Sequence, residues 1–247
     1  MSTSIRKAIN TYLAQQHIEK MNLKAVLFDM DGVLYNSMRY HTKAWKETMD
    51  NIGISSTRDE FYLYEGRTGR STINYLFERE KGRSATDTEK ADIYAIKSAL
   101  FNKYNKGETI KDTDKVLAKV TSYNLQPVLV TGSGQDTLIN KLNTDYPGCF
   151  RKDMMVTAHD VQHGKPHPEP YLMGLKKANC QINEAIVIEN APLGVESAHK
   201  ARLFTIAVNT GPLPDNILLD AGADLLFPDM ASLAEAWDEI MHAFNNR

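Results

Sequence analysis

Short apolar runs along this chain stop repeatedly at polar clusters. Residues 24–28 are apolar and β-compatible, the pattern of a strand covered on both faces. Asp29 and Asp31 follow at the strand's C-terminal end, and Gly32 lets the chain turn sharply. Further strands are predicted at 127–130, 154–157, 185–188, 204–208 and 224–227. Helical periodicity falls between them at 113–123, 135–143, 168–178, 194–201 and 230–243. Prolines open the 168–178 helix. Such alternation predicts an α/β fold, a Rossmann-like parallel sheet with helices on both faces.

The alternation is interrupted once. Residues 35–50 read as a helix that Ser37 could cap. After Gly53 come helical segments at 60–64, 71–80 and 88–104, ended by Lys106-Gly107, with no convincing strand. This block is predicted to be an all-helical cap at 38–111, inserted into a core made of 23–37 and 112–247. The segment 4–20 places Ile5, Ala8, Ile9, Tyr12 and Leu13 at helical spacing, so 1–22 reads as a helical extension that could also fray.

Composition narrows the functional classes. A chain of 247 residues, 42% hydrophobic, can bury a sizeable core. A net charge of -2 gives no electrostatic footprint for nucleic acid or an anionic membrane. No apolar run approaches the ~20 residues of a membrane span, and no secretory signal is evident. Cys149 and Cys180 lack a C-x-x-C pattern, so reduced thiols and a cytoplasmic location are expected rather than a disulfide.

In open α/β sheets, ligands bind beyond the carboxyl ends of the strands. Four predicted strand ends carry polar groups: Asp29 and Asp31; Thr131-Gly132-Ser133-Gly134; Lys165 after His163-Gly164; and Glu189-Asn190. Each has an ordinary reading. D-x-D can be an acidic loop, G-x-G a turn, and a loop lysine is commonly solvated. Together they supply anions for Mg2+ with a hydroxyl and an ammonium for phosphate oxygens, which makes a phosphoryl-transfer site.

The order and spacing resemble the four motifs of the haloacid dehalogenase superfamily over residues 23–245. The stretches FDMDGVLYNS, VTGSG, GKPHPEPY and IENAPLGVESAHKA carry the resemblance. The helical insert is similar to the group with a small helical cap, and residues 29–46 to β-phosphoglucomutases. The chain also resembles Bacteroides-type members labelled as such mutases, a close relative of which is an inorganic pyrophosphatase.

The resemblance implies roles. Asp29 would be the nucleophile and form an aspartyl-phosphate. Asp31 would be general acid and then general base, which requires its carboxyl to be shifted up from the usual ~3.9. Thr131 and Lys165 would hold the phosphoryl oxygens, with Gly132 and Ser133 beside them. Mg2+ would be bound by the Asp29 carboxylate, the Asp31 carbonyl and the fourth motif. That motif usually ends Glu-Asp and here is Glu189-Asn190, one anion short. Glu65, in the cap loop with Arg67 and Arg70, is the candidate for the missing charge, or else an exposed acid paired with a neighbouring arginine. By the same resemblance, His41 lies where the mutases hydrogen-bond cap to core, and Lys106 corresponds to a cap lysine that binds phosphate. Tyr40, Trp45, Met38 and Met49 suit hinge and cap packing.

A hydrolase and a mutase would share every core residue and differ in what accepts the phosphoryl group. A cap carboxylate near the metal favours a small substrate, and the expectation is hydrolysis of pyrophosphate or a small phosphate ester by a monomer or weak homodimer. The alternative is a β-phosphoglucomutase. A signalling receiver domain is half this length and phosphorylates an Asp on a later strand. An inactive relative would not need Asp29, Asp31, Thr131 and Lys165 intact. Cap closure is expected to hinge near 35–38 and 108–113.

Overall fold

The computed structural model describes residues 2–134 and 136–245. Its sheet consists of β1 (Ala25–Phe28), β2 (Gln126–Val130), β3 (Met155–Val156), β4 (Ala185–Glu189), β5 (Phe204–Val208) and β6 (Leu225–Phe227). The order is β3-β2-β1-β4-β5-β6, and every neighbouring pair is parallel. The chain winds outward in both directions from β1, so the crevice at its carboxyl end is where a doubly wound sheet binds ligands. Phe28 lies level with Leu129 and Ile188. That register sets Asp29 beside Glu189, with Thr131 just beyond.

Alternate residues of each strand serve opposite faces, as a period of two requires. Val26, Phe28, Leu129, Ile186, Ile188 and Ile206 enter one large apolar cluster, whereas Ala25, Leu27, Val128, Val130 and Val187 enter another. The first is closed by α1 (Ser2–Gln16), α6 (Thr113–Ser122), α7 (Asp136–Asp145) and α11 (Met230–Asn245). The second is closed by α8 (Glu169–Ala178) and α9 (Pro192–Lys200). Ile5, Ile9, Tyr12 and Leu13 are buried in the first cluster, and Tyr12 Oη donates to Arg202 O at 2.9 Å. The amino-terminal helix is thus part of the core rather than a frayed addition.

The region between β1 and α6 is wholly helical: α2 (Met38–Asn51), α3 (Glu60–Leu63), α4 (Gly69–Lys81) and α5 (Asp87–Tyr104). It has its own apolar cluster, including Trp45, Met49, Phe61, Leu76 and Phe77. A capping box between Thr86 and Glu89 starts α5, and Gly82 in the left-handed region ends α4. The two crossings to the core are hydrogen-bonded to one another: Asn36 N to Glu108 O at 2.8 Å and Ile110 N to Leu34 O at 2.9 Å.

Several expectations shift. Helix α2 starts at Met38, not 35, because Tyr35 bridges to Asp31 and Thr109. Ser37 precedes α2 without capping it through its side chain. A short helix, α10 (Asp215–Asp220), follows Pro214 where none was expected. The predicted 154–157 strand shrinks to Met155–Val156, since 152–154 forms a 3-10 turn. Of the predicted 135–143 helix, Gln135 lies outside the described residues. Both cysteines are free. Among the described residues no helix is long and apolar enough to cross a membrane.

Burial of α1 has a measurable consequence. Ile9→Ala should cost about 2–4 kcal/mol through lost transfer energy and a residual cavity. The check is a denaturant midpoint shift at unchanged slope. A loss below about 0.5 kcal/mol, the range of a surface change, would mean that α1 is not part of the cooperative core.

Candidate active site

Lys165 lies at the centre of the strand ends with no solvent exposure of its side chain. Its Nζ donates to Asp29 Oδ1 at 2.6 Å, Glu189 Oε1 at 2.6 Å and Val130 O at 3.1 Å. Burial opposes the ammonium charge, but the carboxylates of Asp29 and Glu189 raise its pKa above the usual lysine value. Glu189 is filled on both oxygens. Oε1 also accepts from Tyr171 Oη at 2.8 Å, and Oε2 accepts from the backbone N–H groups of Asn190 and Ala191 at 2.8 and 3.0 Å. Gly194 makes room for this, since a Cβ there would come within 1.7 Å of Glu189 Oε1. The expectation that Glu189 ligates a metal is therefore corrected. Its oxygens hold Lys165 and the turn into α9.

Asp31 turns the other way, toward the cap. Ser37 Oγ donates to Asp31 Oδ1 at 2.5 Å, and His41 Nε2 approaches the same oxygen at 3.1 Å. On the far side of the ring, Lys97 Nζ is 2.6 Å from His41 Nδ1, and His41 stacks on Phe101 at 3.9 Å. Burial works against the Asp31 charge. His41, the Ser37 hydroxyl and Lys97 outweigh it and hold the carboxyl below the usual range. This reverses the expected upward shift, because the charge and donors facing Asp31 outweigh its desolvation. Burial pushes Lys97 down to about 7, against the pull of Asp31. Burial and Lys97 likewise lower His41.

Thr131 Oγ1 accepts from Ser133 N at 3.0 Å, leaving its own proton for an oxygen in the cleft. A small cavity of about 60 Å³ is lined by Asp29, Asp31, His41, Glu65, Arg67 and Thr131. Gly132 and Ser133 border it as well. Arg67 lies over the Tyr75 ring at 4.8 Å, with its Nε buried and unpartnered. Arg70 is not brought to this cavity. It pairs with Asp87 on the cap surface and lines an outer cleft. Lys106 is exposed beyond the end of α5, outside the cavity. The cap lysine that reaches the site is Lys97, on the same helix and missed in the sequence. It shares a face with Ile93 and Phe101 at four-residue spacing, and a lysine within such a buried stripe was the available signal.

Glu65 is buried, and Asn190 Nδ2 donates to its Oε1 at 3.2 Å. Burial, then the charges of Asp29, Glu189 and Asp31, push its carboxyl well above the usual range. Burial, Glu189 and Asp31 also push Asp29 up to about 7 despite Lys165. Carboxylates thus crowd this cleft beyond what its lysines neutralise. Asn190 Oδ1, also buried, has no partner. An orphaned hard oxygen among under-compensated carboxylates fits a Mg2+ ion.

The sequence profile of the haloacid dehalogenase-like hydrolases matches residues 26–208. The chain belongs to that family. A solved structure from Bacteroides vulgatus, provisionally called a beta-phosphoglucomutase, superposes with a TM-score of 0.96 at 49% identity over 100% of both chains. The phosphorylated carbohydrates phosphatase of Thermotoga maritima is 29% identical over 206 residues, 81% of this chain and 92% of its own. The validoxylamine A 7'-phosphate phosphatase of Streptomyces hygroscopicus is 26% identical over 211 residues, 85% and 95% respectively. This haloacid dehalogenase-like hydrolase is accordingly a phosphatase or phosphoryl-transfer enzyme.

Lys97 makes stability depend on pH with a definite sign. Between about 7 and its ordinary 10.5, the unfolded chain holds a proton on Lys97 that the folded chain does not. Stability due to this group therefore rises as pH rises through that window. Lys97→Met should flatten the plot of unfolding free energy against pH there by up to about 1.4 kcal/mol per pH unit. Parallel plots for parent and variant would contradict the burial of a perturbed lysine.

Proposed function

We propose that this enzyme is a phosphohydrolase that passes a phosphoryl group through Asp29, and that its substrate is pyrophosphate or a comparably small phosphate ester. The observation that supports this most is the buried cap carboxylate Glu65 against Asn190, beside a cavity of only about 60 Å³. Pockets for drug-sized ligands run to about 300–1,000 Å³. With the cap in this position the cavity at Asp29 is small for a hexose phosphate.

Asp29 attacks phosphorus, with Lys165 fixing its Oδ1 and neutralising the developing charge. The Thr131 hydroxyl holds an oxygen of the transferring group, while the Lys165 charge acts on that group from behind Asp29. Asp31, kept ionised by His41 and Ser37, suits the base that takes a proton from water when the aspartyl-phosphate is cleaved. It is less suited to protonating an alkoxide. That favours a leaving group less basic than an alkoxide, such as phosphate. Mg2+ held by Asp29, the Asp31 carbonyl, Asn190 and Glu65 would add positive charge at the phosphoryl oxygens.

A second reading, a β-phosphoglucomutase, has the name of the Bacteroides vulgatus protein in its favour. Phosphate release and sugar phosphate isomerisation separate the two. Asp29→Asn should abolish turnover while the protein still folds. Glu65→Ala should cost at least tenfold, about 1.4 kcal/mol of barrier, with pyrophosphate and much less with a larger ester. It should also raise the Mg2+ concentration giving half the maximal rate. An unchanged pyrophosphate rate and Mg2+ dependence would remove Glu65 from the site. Conversion of β-glucose 1-phosphate to glucose 6-phosphate faster than phosphate release would establish the mutase.

A further inference from the structure

The loop that carries Lys165 presents a different set of groups on its outer side. His163, His167 and Glu169 each place a ligand atom within 4.8 Å of the other two. His163 Nδ1 lies 3.0 Å from Glu169 Oε2, and His167 Nδ1 lies 3.9 Å from the same oxygen. Two ligands about 2.0 Å from a tetrahedral zinc ion sit about 3.3 Å apart. The two separations to Glu169 bracket that value, and rotation of the two exposed rings would bring the three atoms onto one ion.

We propose that His163, His167 and Glu169 form a site for a zinc-class divalent ion, separate from the Mg2+ position at Asp29. Two imidazoles and one carboxylate are a borderline donor set that selects zinc, cobalt or nickel over magnesium, which prefers oxygen. The carboxylate is already oriented. Its Oε1 accepts from Gln162 N at 2.8 Å and its Oε2 from His163 N at 2.9 Å, the kind of backing that fixes a metal ligand. Glu169 N donates to His167 Nδ1 at 3.2 Å, and an ion there would displace this N–H and take over the lone pair that now accepts it. The ion would replace the proton now shared between His163 Nδ1 and Glu169 Oε2.

Access is open. The His163 and His167 side chains are 63% and 51% exposed. Both line a cleft of about 890 Å³ between the cap and core loops, where a water or an anion could take the fourth position. The ammonium of Lys165 points the other way, inward to Asp29.

Cobalt(II) titration of the full chain, prepared without a histidine tag and in saturating Mg2+, tests the assignment. Four-coordinate cobalt with nitrogen ligands absorbs strongly in the visible, whereas cobalt in an oxygen-only octahedral site absorbs faintly. One equivalent should give the strong bands, and one equivalent of zinc should erase them. His163→Ala and His167→Ala, both at exposed positions, should each weaken cobalt binding at least tenfold with Mg2+-supported turnover retained. Strong bands that persist in both variants, or no strong bands in the parent, would overturn the site. Bands that vanish only in Asp29→Asn would assign the ion to the catalytic cleft and likewise overturn it. The readout is optical, so its failure leaves the reading of the catalytic residues untouched.

Discussion

Lys165 brings a full positive charge to a place that water does not reach. An unpaired ammonium there would cost several kcal/mol. Its three acceptors come from β2, β4 and the residue just past β1, and the fourth group of the cluster, Tyr171, comes from α8. The strand ends are thereby bound to a common point by charge as well as by backbone pairing. Removing either carboxylate would leave the other side of the pair buried and unbalanced, a heavier loss than the pair's own net worth. The same ammonium lies against Asp29 Oδ1, on the carboxylate proposed as nucleophile, so one group would serve both the core and the chemistry.

Two of the polar contacts between cap and core, both at the cleft, have opposite sense. One runs from Lys97 through His41 to Asp31 and brings donors to a core carboxylate. The other runs from Asn190 to Glu65 and brings a cap carboxylate to a core already rich in negative charge. The first lowers the pKa of its acid and the second leaves its acid raised. Seating of the cap therefore stabilises one charge and strains another. A cation in the cleft would relieve that strain, which ties ion binding to cap position.

The sheet and the four polar clusters were legible because their signals are local and repeated. Strands such as Ala25–Phe28 and Phe204–Val208 are buried on both faces, so they read as unbroken apolar runs. Asp29, Thr131 and Lys165 were recognisable by their place at strand ends. Ser37 was misread as a cap because its hydroxyl finds Asp31 instead of the helix backbone. Glu189 was misread as a ligand because sequence gives no direction for a side chain, and this one turns inward to Lys165. Lys97 was passed over for another reason: its stripe with Ile93 and Phe101 lies on a helix with many polar residues, and its partners are far away in sequence. Asp31's lowered pKa has the same origin, since it depends on groups from two parts of the cap.

The central position of β1 also bears on how the chain acquires its shape. Strand β1 is made early, yet its neighbours are Gln126–Val130 and Ala185–Glu189. Throughout synthesis of the inserted helices it has no edge to pair with. Those helices can collapse on their own cluster through short-range contacts, which form fastest. The strand must meanwhile stay unpaired until β2 and then β4 leave the ribosome, exposing an apolar edge of the kind that associates wrongly. The segment that leads into Asp29 and Asp31 is thus made long before its neighbours. Selection on its flanks would act for solubility of the nascent chain as well as for chemistry.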